Sequence, residues 1–111
     1  MSRPLVAESV YRAIAHPVRR MVLDSLRKED RSVGEIHQML ARLSRPALSN
    51  HMRVLRESGL LTQRRKGVRL MCSLNVARMS ELVQWTLPYQ SMLADASRTR
   101  ATQAQMKRRT S

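Results

Sequence analysis

The 111-residue chain contains no Phe, one Trp and two Tyr, so aromatics make up only 3% of it. Proteins that grip single-stranded nucleic acid do so largely by stacking bases on aromatic rings. Trp85, Tyr11 and Tyr89 are too few for that, and all lie outside the basic segment described below. A core without Phe must be aliphatic and Met-rich. The eight Met are expected to be ordinary core filling rather than an adaptable contact surface. A single cysteine, Cys72, excludes an internal disulfide. Neither a signal peptide nor an apolar run of membrane-spanning length is present, which predicts a cytoplasmic protein with no membrane partner. Acidic residues are scarce, 8 against 21 Lys and Arg, for a net charge of +13. An excess of that size attracts polyanions. No Gly-rich phosphate loop, clustered carboxylates or nucleophile–base pair stands at a spacing that carries a mechanism, so an enzyme is not expected and no cofactor is implied.

The positive charge is not spread evenly. Between Arg42 and Arg69 lie eight basic residues and one acid, Glu57. The same stretch has the pattern of a short amphipathic helix followed by a hairpin. Ser44 and Pro46 suit a helix start. Leu48, Met52 and Leu55 form its apolar stripe, and Gly59 is a C-terminal stop. Leu60–Arg65 and Val68–Leu74 then read as strands around Lys66-Gly67. Val68, Leu70, Cys72 and Leu74 alternate along one face. That face predicts a buried, inert thiol at Cys72.

Upstream, Leu5 to Ala15 carries a helical stripe of Ala7, Val10, Tyr11 and Ile14. His16-Pro17 punctuates, with His16 as the cap of a second helix from Pro17 to Arg27. Lys28 to Arg31 is a polar link. Ser32 and Glu35 form a capping box for a third helix that buries Ile36, Met39 and Leu40, with His37 on its polar side. Asn75 caps a last helix whose stripe includes Met79, Leu82, Val83 and Met92, and Pro88 should kink or break it. Residues 97–111 are basic, lack acids and are expected to be a disordered tail beyond a domain spanning 1–96.

The order α-α-α-α-β-β-α, mainly α with a small β-hairpin, is that of a winged helix-turn-helix. The second helix of such a pair enters the major groove of duplex DNA. At 100° per residue, a core-facing stripe of Leu48, Met52 and Leu55 turns Asn50, Arg53 and Glu57 outward, flanked by Ala47 and Ser49. Asn can bond both groups of an adenine edge, Arg can do the same to guanine, and Ala is small enough to meet a thymine methyl. Arg45, Ala47, Ser49, Asn50 and Arg53 are therefore the candidate base readers. Ser44 at the helix start and Arg64, Arg65, Lys66 and Arg69 on the wing suit phosphates or the minor groove. Two other uses of the fold are a protein-interaction or antitoxin-like module and a sequence-neutral architectural DNA binder.

Three segments, Ala13 to Arg20, Ser32 to Ile36 and above all Ser44 to Arg56, are similar to the ArsR (arsenic-repressor-like) family of bacterial transcription regulators. The resemblance covers roughly residues 5–75 and implies a repressor that pairs as a homodimer through its first and last helices. Val10, Tyr11, Ile14, Met79, Leu82, Val83, Trp85 and Met92 are then interface candidates. They could instead close the core of a single chain. The resemblance also offers His51 as a phosphate contact, against a packed histidine at the core edge. The turn through Ala41, Arg42 and Leu43 is one residue longer than the family's usual one. The family's metal sites would fall on Ser32 and Gly34, or on a last helix holding only Glu81 and Asp95. Ser32 and Gly34 cannot ligate a soft metal, and the last helix lacks the several N or S ligands a transition metal needs. The resemblance therefore implies a regulator of the kind that senses no metal. It names no effector, and it implies a pseudo-palindromic operator as the DNA partner.

Overall fold

The computed structural model describes residues 10–110. A first helix, α1, includes residues 10–14. It is followed by α2 (Pro17–Ser25), β1 (Arg31–Ser32), α3 (Val33–Met39), α4 (Arg45–Glu57), β2 (Leu61–Lys66), β3 (Arg69–Leu74) and α5 (Val76–Thr110). Ala7 lies outside the described residues.

Local chemistry sets most boundaries. The His16 ring accepts from the Val18 amide at 3.1 Å and caps α2, ahead of Pro17. Ser32 and Glu35 close a reciprocal capping box, both bonds at 3.1 Å. Ser44 Oγ accepts from the Ala47 amide to start α4, and Asn75 Oδ1 accepts from the Arg78 amide at the start of α5. Each bond satisfies an amide that the helix itself leaves open.

The sheet corrects the expected order. It has three antiparallel strands, β1-β3-β2, where two were expected. Arg31 pairs with Cys72 and Ser32 with Met71. A two-residue strand carries no periodicity, so its signal is the open edge of β3 rather than anything in residues 28–32. Val68 also departs from expectation: it is 99% exposed in the hairpin turn and shares no strand face with Leu70 and Cys72. Gly67 takes φ +63° there, as a tight hairpin requires.

The core is aliphatic, joining Val10 and Ala13 from α1, Val22 and Leu23 from α2, Ile36, the α4 stripe, Leu60, Leu61, Cys72 and Leu82. Met is mostly not core filling. Among the described residues only Met52 is buried in it, with Met79 packed at its edge, while Met21, Met39 and Met92 are half or more exposed.

Pro88 does not end α5, which continues to Thr110 through the segment expected to be a disordered tail. A helix-interior proline removes the amide that the carbonyl four residues back would accept from. That residue, Gln84, is exposed, so water can take the bond. Residues 97–110 contain no Gly or Pro and include Ala, Gln, Arg, Met and Lys, all strong helix formers.

Candidate nucleic-acid interface

Helix α4 buries Leu48, Met52 and Leu55 and exposes the opposite side, as the 100° rotation predicts. Arg45, Ser49, Asn50 and Arg53 are all exposed, and Ala47 is half-buried at their edge. The two strongest readers are not independent. Arg53 Nη2 donates to Asn50 Oδ1 at 2.6 Å, and Arg53 Nη1 stands 3.9 Å from Glu57 Oε1. In the free protein the guanidinium is thus stretched along the helix axis between a neutral and an acidic acceptor. Contact with guanine requires it to swing off at least one of them.

His51 does not share that face. It is half-buried, its ring lies 4.4 Å from the His16 ring, and its Nδ1 stands 3.3 Å from Arg19 Nη1. A guanidinium can only donate, so Nδ1 must accept, and the ring proton sits on Nε2. Burial, reinforced by the neighbouring His16 and Arg19, holds the His51 pKa below its ordinary value. His51 thus sits at the α2–α4 junction, packed between His16 and Arg19.

Arg19 and Arg20 tie α1 to α2, a structural part that sequence reasoning missed. Both stand in the first turn of α2, the end where a helix dipole disfavours cations. They are there because the chain has just turned out of α1. Arg19 donates to the carbonyls of Ala13 (2.7 Å) and Arg12 (3.2 Å), and Arg20 to that of Ile14 (2.7 Å). Arg19 therefore ties the end of α1 to His51 on the reading helix. Cations at the wrong end of a helix were the available signal. His37 was also under-read. Its Nε2 bonds the Leu43 carbonyl at 3.1 Å and closes the long α3–α4 turn.

The far end of α4 is fixed to the wing by a buried hydroxyl. Ser58 Oγ donates to the Leu55 carbonyl at 2.8 Å and accepts from the Leu60 amide. Gly59, at φ +84°, then turns the chain into β2. On the wing, β2 and β3 pair Arg65 with Leu70 and Lys66 with Arg69. Directly opposed residues share a face, so Lys66 and Arg69 set like charges side by side, which destabilises a hairpin unless an anion lies against it. Arg64 is different. Its Nη1 lies 3.1 Å from Asp30 Oδ2 and 2.9 Å from Ser73 Oγ, so it braces the wing against the loop before β1. The hydrogen bond from Ser73, then Arg64, holds the Asp30 carboxyl below its usual range.

Cys72 is fully buried, and burial pushes its thiol pKa up. Among the described residues no three His, Cys, Asp or Glu side chains group closely enough to hold a metal ion. Among them, too, no helix is long and apolar enough to cross a membrane.

The family model of the helix-turn-helix domain matches residues 14–64. The transcriptional repressor SdpR of Bacillus subtilis is 31% identical over 81 residues, 73% of this chain and 89% of SdpR. The crystal structure of the transcriptional repressor BigR from Xylella fastidiosa is 31% identical, with a TM-score of 0.61, covering 79% of this chain and 89% of that one. The chain belongs to the ArsR family. An ArsR-like regulator from Rhodococcus sp. RHA1, at 21% identity, shares the fold over 96% of both chains with a TM-score of 0.68. As an ArsR-family protein it is a DNA-binding transcriptional regulator with a winged helix-turn-helix, and its ligand is double-stranded DNA.

Proposed function

We propose that the protein is a homodimeric, cytoplasmic repressor that seats two α4 helices in successive major grooves of a pseudo-palindromic operator and works without a bound metal. The observation that carries this reading is the outward face of α4. Arg45, Ser49, Asn50 and Arg53 project from a rod whose other side is anchored in the core by Leu48, Met52 and Leu55. Asn50 and Arg53 read bases, Ala47 meets a methyl group, and Ser44, Arg65, Lys66 and Arg69 hold the backbone. Arg64 adds charge to the wing from a braced position. An interaction module would want exposed apolar side chains on α4, whereas its outer face is polar and basic.

The dimer rests on α5 and on part of α1. Trp85, Tyr89 and Met92 recur at helical spacing and are 62%, 49% and 64% exposed. Tyr11 packs edge-on against Trp85, with ring centroids 6.3 Å apart. Such a stripe of large apolar side chains is a surface for a second copy. Val83 adds to it. Val10 and Leu82, by contrast, are buried within the single chain, whereas Ile14 and Met79 pack against the same core with part of their surface still open to a second copy.

Protection footprinting on the chain's own upstream DNA, with sedimentation of the complex, tests the proposal. The expected result is two protected half-sites about 34 Å apart, one turn of duplex, with two chains bound. Uniform coating of any duplex would instead favour an architectural binder.

A further inference from the structure

A cavity of about 440 Å³ opens between α3, α4 and the wing. That volume is within the ~300–1,000 Å³ usual for small-molecule sites. Its floor is Leu48 and Met52, both buried, and its walls include Val33 and Leu70. Arg45 and Arg56, both exposed, stand at its rim. No acid lines it, and no carboxylate pairs with Arg45 or Arg56 among the described residues. Gln63 adds an amide whose Nε2 makes only a long contact, 3.5 Å, with Cys72 Sγ.

We infer that this cleft is a binding site for an organic anion, a carboxylate on a compact apolar body, and that such a ligand and DNA exclude each other. A rim guanidinium over an aliphatic floor matches that class, and Arg56 adds a second positive charge towards the other end of the cleft. The planar fork of Arg takes a carboxylate through paired hydrogen bonds. Leu48, Met52, Val33 and Leu70 take the hydrocarbon, and the adaptable thioether of Met52 tolerates differing shapes. A nucleic-acid phosphate fits the rim but not the floor, because a fully solvated anion gains nothing against Leu and Met. The exclusion follows from shared residues. Arg45 and Ser49 line the cleft and also stand on the reading face, so the same guanidinium cannot hold a carboxylate and a DNA group together. The exclusion rests on the reading surface proposed above, whereas the cleft itself does not.

The test uses the full chain, with 2-naphthoate and decanoate as probes, and with 2-naphthamide and acetate as controls for charge and for body. Titration calorimetry should show saturable binding of naphthoate, one per chain, at least roughly tenfold tighter than the amide or acetate. Arg45→Gln should lose about that factor, whereas Arg56, eleven residues further along α4 and about 16 Å away on the helix axis, should matter less. Leu70→Trp, which fills the cleft from the wing, should abolish binding while still shifting a labelled duplex. Val33→Phe fills it from α3 should the first variant fold poorly. Naphthoate should weaken duplex binding of the native chain, read by fluorescence anisotropy, and leave that of Leu70→Trp unchanged. No saturable binding of either acid to protein that binds duplex would overturn the site. Equal binding of the amide would overturn the anion class, and binding without competition would overturn the exclusion. Failure to bind any duplex, with naphthoate binding intact, would count against the reading surface and not against the cleft.

Discussion

Replacing Gly59 by Ala should be among the most damaging single-methyl changes in the protein, and its cost can be resolved into parts. Gly59 sits at φ +84°, where an L-residue is strained by about 1–2 kcal/mol. A Cβ built there would lie 2.8 Å from Arg78 Nε and 3.2 Å from Arg78 Cγ. Arg78 is not idle, since its Nη1 bonds both carboxylate oxygens of Glu81 at 2.9 Å. Moving it gives up a partly exposed pair worth about 0–1 kcal/mol. Alanine also restricts the unfolded chain, which offsets about 0.4–1 kcal/mol. The net destabilisation is about 1.3 kcal/mol at the centre of these ranges, with an upper end of about 2.6, and the melting temperature should fall by about 4 °C or more for each kcal/mol. Gly67 is the internal control. It has φ +63° but nothing within 4 Å of a built Cβ, so Gly67→Ala carries only the backbone strain. Asn, which tolerates left-handed backbone, should rescue position 67 and not position 59. Urea and thermal unfolding of Gly59→Ala, Gly67→Ala and both Asn variants, each with and without Arg78→Ala, measure every part. If Gly59→Ala were no worse than Gly67→Ala, or if Arg78→Ala restored nothing, the packing described at the α4–wing junction would be wrong.

Two further outcomes follow from the charges around the reading helix. Because the folded pKa of His51 is depressed, the unfolded chain binds more protons once pH falls below the ordinary value of about 6.5. The His51 contribution to stability is therefore complete above that value and is lost as pH falls through the folded pKa. His16 and Arg19 face it, and His51→Gln should flatten thermal stability across that window, whereas an unchanged slope would contradict the packed assignment. On the wing, Asp30→Asn should tighten binding to all duplexes alike by freeing Arg64, and Arg64→Ala should weaken it less than Lys66→Ala. Salt-dependent anisotropy checks both, and a sequence-dependent effect would count against a backbone-only role.

The parts of this fold that were legible in the sequence are those with local chemistry. Capping residues, the stripe on α4 and the Lys66-Gly67 turn each announce themselves within a few positions. The rotation rule alone placed Asn50 and Arg53 outward. What escaped was non-local. β1 exists because β3 has an edge to fill. Arg64 is held by Asp30, thirty-four residues earlier in the chain. Val10 and Leu82 read as stripe residues seeking a partner, and periodicity cannot say whether that partner is the same chain or a second one. Likewise, the clean acid-free run of residues 97–110 suggested disorder by charge, while its helix formers carried the opposite message.

The central claim is that the outer face of α4 reads bases. Its most direct test is the ratio of affinities for operator and random duplex at one salt concentration, measured for the native chain, Asn50→Ala, Arg53→Ala and the double variant. Each single change should lower operator affinity by about 1–3 kcal/mol and leave random duplex nearly untouched for Asn50. The two effects should fall short of additivity, because the side chains already bond each other at 2.6 Å. A ratio that stayed the same in all four proteins would contradict the account.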